Sequence, residues 1–195
     1  MKKHFLISAI TLFSFVGAKA QIYMGKTCDI QFFSAASLEN ITATNKTTKP
    51  ILNTSNGDVL IKISIANFDF ANALMKEHFN ENYMETDKAG PKDAKGADTY
   101  PNKYATFKGK INEKVDYKKD GMVKVTVTGK LDIHGVPQDR TIDALLTIKG
   151  GVISVDSKFN VALKDHNITV PELLYQKIAT SVEVKIHADL TEGGK

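Results

Sequence analysis

Beyond residue 20 the chain holds four histidines, at 78, 134, 166 and 187. Imidazole binds transition metals and changes charge near neutral pH, so these are the first places to look for chemistry. Their spacing argues against one shared ion. No pair lies two residues apart, as on one face of a strand, or four apart, as on one face of a helix, so a metal site needs a tertiary coincidence. The best-placed single ligand is His134, in Asp132-Ile133-His134. Acyl transfer lacks its parts as well: there is no Gly-x-Ser-x-Gly elbow, and Cys28, the only cysteine, has no histidine close to it in sequence. Glycine-rich phosphate loops of the Gly-x-Gly-x-x-Gly or Walker type are absent. Acidic residues are plentiful, but none interrupts an apolar face in the way a paired-carboxylate site would. The expectation is therefore no catalytic residue, no metal and no cofactor, which points to binding rather than catalysis.

A different kind of chemistry is suggested by Ala71, Leu74, Met75, His78, Phe79 and Tyr83, which fall at the i, i+3, i+4, i+7, i+8 and i+12 spacing of one helical face. Methionine and aromatic side chains adapt to irregular apolar partners, so Met75, Phe79 and Tyr83 are candidates for the rim of a ligand tunnel. The same stripe also serves as plain core. A second short helix is predicted from Pro171, a residue favoured at the first helical position, through Leu174 and Ile178 to about Thr180.

The elements that must position these residues are strands. Ile61, Ile63 and Ile65 alternate with Lys62 and Ser64, and Val123, Val125, Val127, Leu131 and Ile133 alternate with Lys124, Thr126, Thr128, Lys130 and Asp132. Ile142, Ala144, Leu146 and Ile148 run up to Gly150-Gly151, a dipeptide suited to a tight hairpin turn. Ile153, Val155, Phe159, Val161 and Leu163 follow, and Val182, Val184, Ile186, Ala188 and Leu190 make the last run. Weaker strand signals cover 26–35, 40–47 and 105–115. About eight strands joined by hairpins close most simply into an all-β, mainly antiparallel, up-and-down barrel, which leaves no unpaired edge. The two short helices then cover a mouth or flank. The segment 86–99 is rich in glycine, proline and charge and reads as a mobile surface loop.

Residues 1–20 have a basic start, an apolar stretch from Phe5 to Val16 and the small-residue exit Ala18-Lys19-Ala20, the pattern of a secretory signal peptide. The apolar stretch is shorter than the roughly 20 residues that cross a bilayer, so the expectation is a periplasmic or secreted domain spanning 21–195, without stable membrane insertion. Removing Lys2, Lys3 and Lys19 from the 26 basic residues leaves 23 against 22 acidic ones, which disfavours nucleic acid as a partner. One cysteine excludes an intrachain disulfide, and Cys28 is expected half-buried in a strand. A homodimer stays open.

Three segments in order resemble the YceI-like family of secreted lipid-binding proteins. They are His78-Phe79-Asn80-Glu81-Asn82-Tyr83-Met84 after Phe68-Asp69-Phe70, then Tyr100-Pro101 leading to Ala105-Thr106-Phe107, then Gly129-Lys130-Leu131-Asp132-Ile133-His134-Gly135-Val136. The resemblance implies a lipocalin-like antiparallel barrel with a tunnel for a long amphiphile: a polyisoprenoid, an isoprenoid quinone or a fatty-acid derivative.

About eight strands either fill their interior with side chains or leave room for one small ligand. If the barrel is hollow, the alternation assigns Ile63 on the first isoleucine run and Val125, Val127, Leu131 and Ile133 on the next to the tunnel lining. Ile142, Leu146 and Ile148 continue it, followed by Phe159 and Val161 and then Val184 and Ile186. Lys124 and Asp189 face outward and should tolerate alanine. The expected function is transport, storage or stress protection of a lipid. The alternatives are a filled barrel acting as an interaction or stress-response module, and a redox- or metal-associated protein.

Overall fold

The structure, a computed structural model, describes residues 21–36, 38–170 and 178–193. Among them the alternating runs become ten strands: β1 (Ile22–Ala35), β2 (Asn40–Asn45), β3 (Ile51–Asn53), β4 (Asp58–Ser64), β5 (Asp69–Phe70), β6 (Tyr104–Ile111), β7 (Gly121–Ile133), β8 (Val136–Lys149), β9 (Val152–Ala162) and β10 (Ser181–Glu192). They pair antiparallel in the order β10-β9-β8-β7-β6-β4-β3-β1-β2-β5, and β10 returns to β1 from Tyr23↔Glu192 to Phe33↔Glu183. That last pairing closes the barrel. β3 and β2 lie against opposite ends of β1, and β5 pairs with β2 beyond the end of β4. Counting β2 with β3 and β4 with β5 as single interrupted staves gives the eight-strand antiparallel barrel that the alternation predicts.

The interruption between β2 and β3 has a side-chain cause. Asn45 is fully buried; its Oδ1 accepts from Thr47 N (2.9 Å), Thr47 Oγ1 (3.1 Å) and Thr48 Oγ1 (3.2 Å), while its Nδ2 donates to Ser64 O (2.9 Å). This local bonding competes with the ladder. Pro50 then removes a backbone donor before pairing resumes at Ile51.

Two hairpins follow from positive backbone φ. Gly150 and Gly151 (φ 57° and 80°) join β8 to β9, as the dipeptide predicts. His134 and Gly135 (φ 56° and 70°) join Ile133 directly to Val136, so β8 begins well before its first aliphatic run at Ile142. Close packing explains another glycine. Gly129 lies opposite Gly109, and a methyl at Gly129 would collide with the Lys108 carbonyl and the Gly109 Cα.

One end of the barrel is packed solid. Cys28, Val125, Ile148, Ile153 and Leu190 are buried, and Val115 and Tyr117 of the β6–β7 connection pack against the buried cluster. The strand expected over 105–115 therefore stops at Ile111. Beyond it the Glu113 carboxylate accepts from Thr126 N (2.8 Å) and Thr126 Oγ1 (2.9 Å), turning the chain inward toward that end.

The other end, called the mouth below, carries α1 (Ala73–His78), capped by Asn72 Oδ1 accepting from Leu74 N (2.8 Å). A wider, π-helical turn continues over Phe79–Tyr83, so the helix predicted over 71–84 exists but changes pitch. Most of the helix predicted from Pro171 lies outside the described residues. The 86–99 segment, expected to be mobile, is tied by turns: Gly90 N donates to Thr99 O (2.7 Å), and Asp93 Oδ1 accepts from Lys95 N (2.8 Å) and Ala97 N (2.9 Å).

Candidate functional site

Between the mouth and the packed end lies a cavity of about 590 Å³. That size falls within the roughly 300–1,000 Å³ of pockets that hold a small-molecule ligand. It exists because every stave turns an aliphatic or aromatic side chain inward at alternate positions and small residues, Ala144 and Ser157 among them, interrupt the filling. The wall is predominantly aliphatic and aromatic. Its polar contributors are Ser34 and Ser157 on the wall and Glu39, Asn72 and His78 at the mouth. Both wall hydroxyls are committed: Ser34 Oγ accepts from Ala179 N (3.0 Å) and Ser157 Oγ donates to Asp143 O (2.7 Å).

Most of the residues assigned from the alternation stand on this wall. Ile63, Val127, Leu131, Ile133, Ile142, Leu146, Phe159, Val161, Val184 and Ile186 line it, and Met75, Phe79 and Tyr83 border its mouth. Val125 and Ile148 are placed differently. Both point inward and are buried, but they belong to the packed end rather than the cavity wall. Period 2 sets which side of the sheet a residue faces and is silent about depth along the barrel axis.

Sequence reasoning passed over Phe32, Phe68 and Phe70, which line the cavity near the mouth. The signal was present in Phe68-Asp69-Phe70, a strand end where two rings alternate with a carboxylate, but the run is too short to assign those rings to an inward face. Together with Phe79 these rings interlock. Phe79 lies 5.4 Å from Phe32, 5.9 Å from Phe68 and 5.0 Å from Phe70, centroid to centroid, while Phe32 is 5.4 Å from Phe68 and 5.8 Å from Phe70. Phe79 thus fastens the helical segment over the mouth to the barrel, with an ion pair from Lys76 to Asp69 (2.9 Å) and buried Met84 beside it. Burial also pushes the nearby Tyr83 phenol upward in pKa.

A model of the YceI-like domain matches residues 20–190. The chain belongs to the YceI-like family. Solved structures agree on the fold. A polyisoprenoid-binding domain from Saccharophagus degradans implicated in plant cell wall breakdown superposes with a TM-score of 0.70 at 14% identity, over 89% of this chain and 99% of that one. BcnA of Burkholderia cenocepacia gives 0.64 at 18% identity, over 83% and 95%. A Campylobacter jejuni YCEI protein gives 0.51 at 16% identity, over 97% and 91%. No curated protein is a significant match to the chain.

In this YceI-like barrel the histidines do not converge on the cavity. His134 sits in the β7–β8 turn, with Nδ1 3.3 Å from His166 O and Nε2 3.3 Å from Glu85 Oε2. His166 is fully buried with Nδ1 2.9 Å from Val136 O, while His187 lies on the outer face with Nδ1 2.7 Å from Asp156 Oδ1. The Asp156 contact raises the His187 pKa. Among the described residues no group of three or more His, Cys, Asp or Glu is placed to hold a metal ion. Cys28 is buried, and burial, then the neighbouring Asp29 carboxylate, pushes its thiol up to about 11, so little thiolate exists at neutral pH. Among the described residues no helix is long and apolar enough to cross a membrane.

Proposed function

We propose that this YceI-like barrel is a non-enzymatic binding protein that holds one long amphiphile in its cavity, with the tail buried and the head at the mouth. The observation that carries the reading is the continuous aliphatic and aromatic wall around about 590 Å³. Apart from Glu39 and His78 at its mouth, such a wall offers no acid, base or nucleophile to a substrate. It offers apolar area, and each tail methylene transferred from water contributes roughly 0.8 kcal/mol. About ten carbons supply roughly 8 kcal/mol, which an association cost of about 4 kcal/mol cuts to roughly millimolar binding, so micromolar affinity takes a tail of about fifteen carbons. A polyisoprenoid, an isoprenoid quinone and a fatty-acid derivative all meet the requirement, and the likeness to a domain named for polyisoprenoid binding supports the first. The signal-like residues 1–20 support a periplasmic or secreted site of action in transport, storage or stress protection.

Native mass spectrometry of protein purified from an exporting host tests this. The expected result is a copurifying amphiphile, or stoichiometric uptake of an added quinone or long-chain fatty acid by protein stripped of lipid. Stripped protein that takes up neither would overturn the proposal in favour of an interaction module.

A further inference from the structure

The barrel wall is not sewn uniformly. β8 pairs with β7 from Ile133↔Val136 to Gly121↔Ile148, but with β9 only from Ala144↔Ser157 to Lys149↔Val152. Toward the mouth β9 runs on to Ala162 paired with β10 alone. Two lips, 136–143 and 158–162, therefore face each other with no ladder between them. Pro137, which lacks a backbone donor, sits on one lip, the edge-like setting proline tolerates.

What crosses the seam is side chain. Among the described residues Ser157 Oγ donates to Asp143 O (2.7 Å), Arg140 Nη2 to Asn160 O (3.3 Å) and Gln138 Nε2 to Asp165 O (2.7 Å), and His166 Nδ1 lies 2.9 Å from Val136 O. Arg140 is the chain's single arginine; among the described residues its buried Nε has no partner and its guanidinium makes no ion pair. The cavity reaches both lips, Ile142 on one and Phe159 and Val161 on the other. At the fork, Ala144, Ser157 and Ile186 line both this cavity and a polar hollow on the outer face of the sheet.

We propose that the seam between β8 and β9 is a lateral gate through which the ligand tail passes, with Arg140 and Gln138 as its bolts; this rests on the reading of the cavity as a lipid site. The alternative route lies past α1, where Phe79 must leave three other rings and expose apolar surface to water. Opening the seam parts Ile142 from Phe159 and Val161, apolar surface that the passing tail itself covers, and breaks side-chain bonds to carbonyls that water replaces at little net cost. It also admits a long tail sideways, with no need to thread it end first.

The test uses Thr141→Cys with Asn160→Cys, exposed positions on the two lips, in a Cys28→Ser background, joined by a bismaleimide with a cleavable disulfide spacer. Stopped-flow fluorescence follows uptake of cis-parinaric acid and its release to phosphatidylcholine vesicles. Bridging should slow both rates at least tenfold with an unchanged Kd, and reductive cleavage should restore them. Arg140→Ala, unbridged, should speed both several-fold. Bridged protein that loads and unloads at the unbridged rate overturns the gate while leaving the lipid reading standing. Unmodified protein that takes up no probe overturns the lipid reading, and the gate falls with it.

Discussion

Ala144→Leu separates a hollow barrel from a filled one by the sign of a single stability change. Ala144 faces inward on β8 between Ile142 and Leu146, opposite Val125 on one side and Ser157 on the other, and it lines the cavity. Leucine adds three carbons. If they enter void, burial at roughly 0.8 kcal/mol each gives about 2 kcal/mol, and a compact denatured state brings the figure nearer 1 kcal/mol. If the space is already occupied, overpacking costs about 1–3 kcal/mol instead. For a chain of this length 1 kcal/mol moves Tm by roughly 2–4 °C, so a hollow barrel melts higher by about 2–8 °C and a filled one melts lower. The same carbons occupy space the ligand needs, and about 2 kcal/mol lost from binding is roughly a thirty-fold weaker Kd. Calorimetry of lipid-free protein and titration with a fluorescent fatty acid read the two halves. A lower Tm with unchanged affinity refutes the hollow barrel.

Val127→Asp places an unpaired carboxylate on the buried cavity wall, at a cost of several kcal/mol, and should abolish soluble expression or two-state urea unfolding, whereas Lys124→Ala on the exposed face stays within about 0.5 kcal/mol of the parent. Phe79→Ala removes three ring contacts worth about 0.5–1.5 kcal/mol each beyond burial, so amide exchange over 73–84 should accelerate strongly while exchange in β7 and β8 stays as it was. Because the Asp156 contact raises the His187 pKa, its contribution is fully present below the unfolded value near 6.5 and is lost as pH rises through the higher folded value. The side chain is half exposed, so melts at pH 5.5 and 8 should differ by no more than about 0.5 kcal/mol on this account, and His187→Gln should remove that difference.

The barrel was legible because period-2 burial is written into β4, β7, β8, β9 and β10 residue by residue, and the Gly150-Gly151 turn marks where two of them join. The missed parts share a cause. The start of β8 was invisible because Gln138 and Arg140, at alternate positions, hold a seam instead of filling a core, which breaks the aliphatic alternation there. Asp189 looked dispensable as an outward carboxylate, yet its Oδ2 accepts from Thr27 Oγ1 (3.2 Å) on β1 and its Oδ1 from Ser154 Oγ (2.6 Å) on β9. Those bonds lower its pKa, with Ser154 the largest cause, and tie three strands across the closing edge. Alternation says which face a residue takes and is blind to such cross-strand partners.

That limit also decides what the cavity encodes. Hydrophobic attraction is non-directional and scales with buried area, so an aliphatic wall selects length and girth and cannot tell an acyl tail from a prenyl tail by contact alone. Length is fixed by where the cavity stops, at the packed end formed around Val125, Ile148 and Ile153. Girth is set where small residues interrupt large ones, at Ala144, Ser157 and Ala188. Directional discrimination falls to the few polar groups at the mouth: the Glu39 carboxylate, the Asn72 amide and the exposed His78 imidazole. A carboxylate there disfavours an anionic head held close to it, and a neutral head that accepts hydrogen bonds suits the Asn72 amide N–H and the imidazole. Glu39→Gln should therefore tighten binding of a fatty acid while leaving a quinone with the same carbon count unchanged. Titration of both probes against both proteins decides it, and an equal change for the two would place the head somewhere other than this mouth.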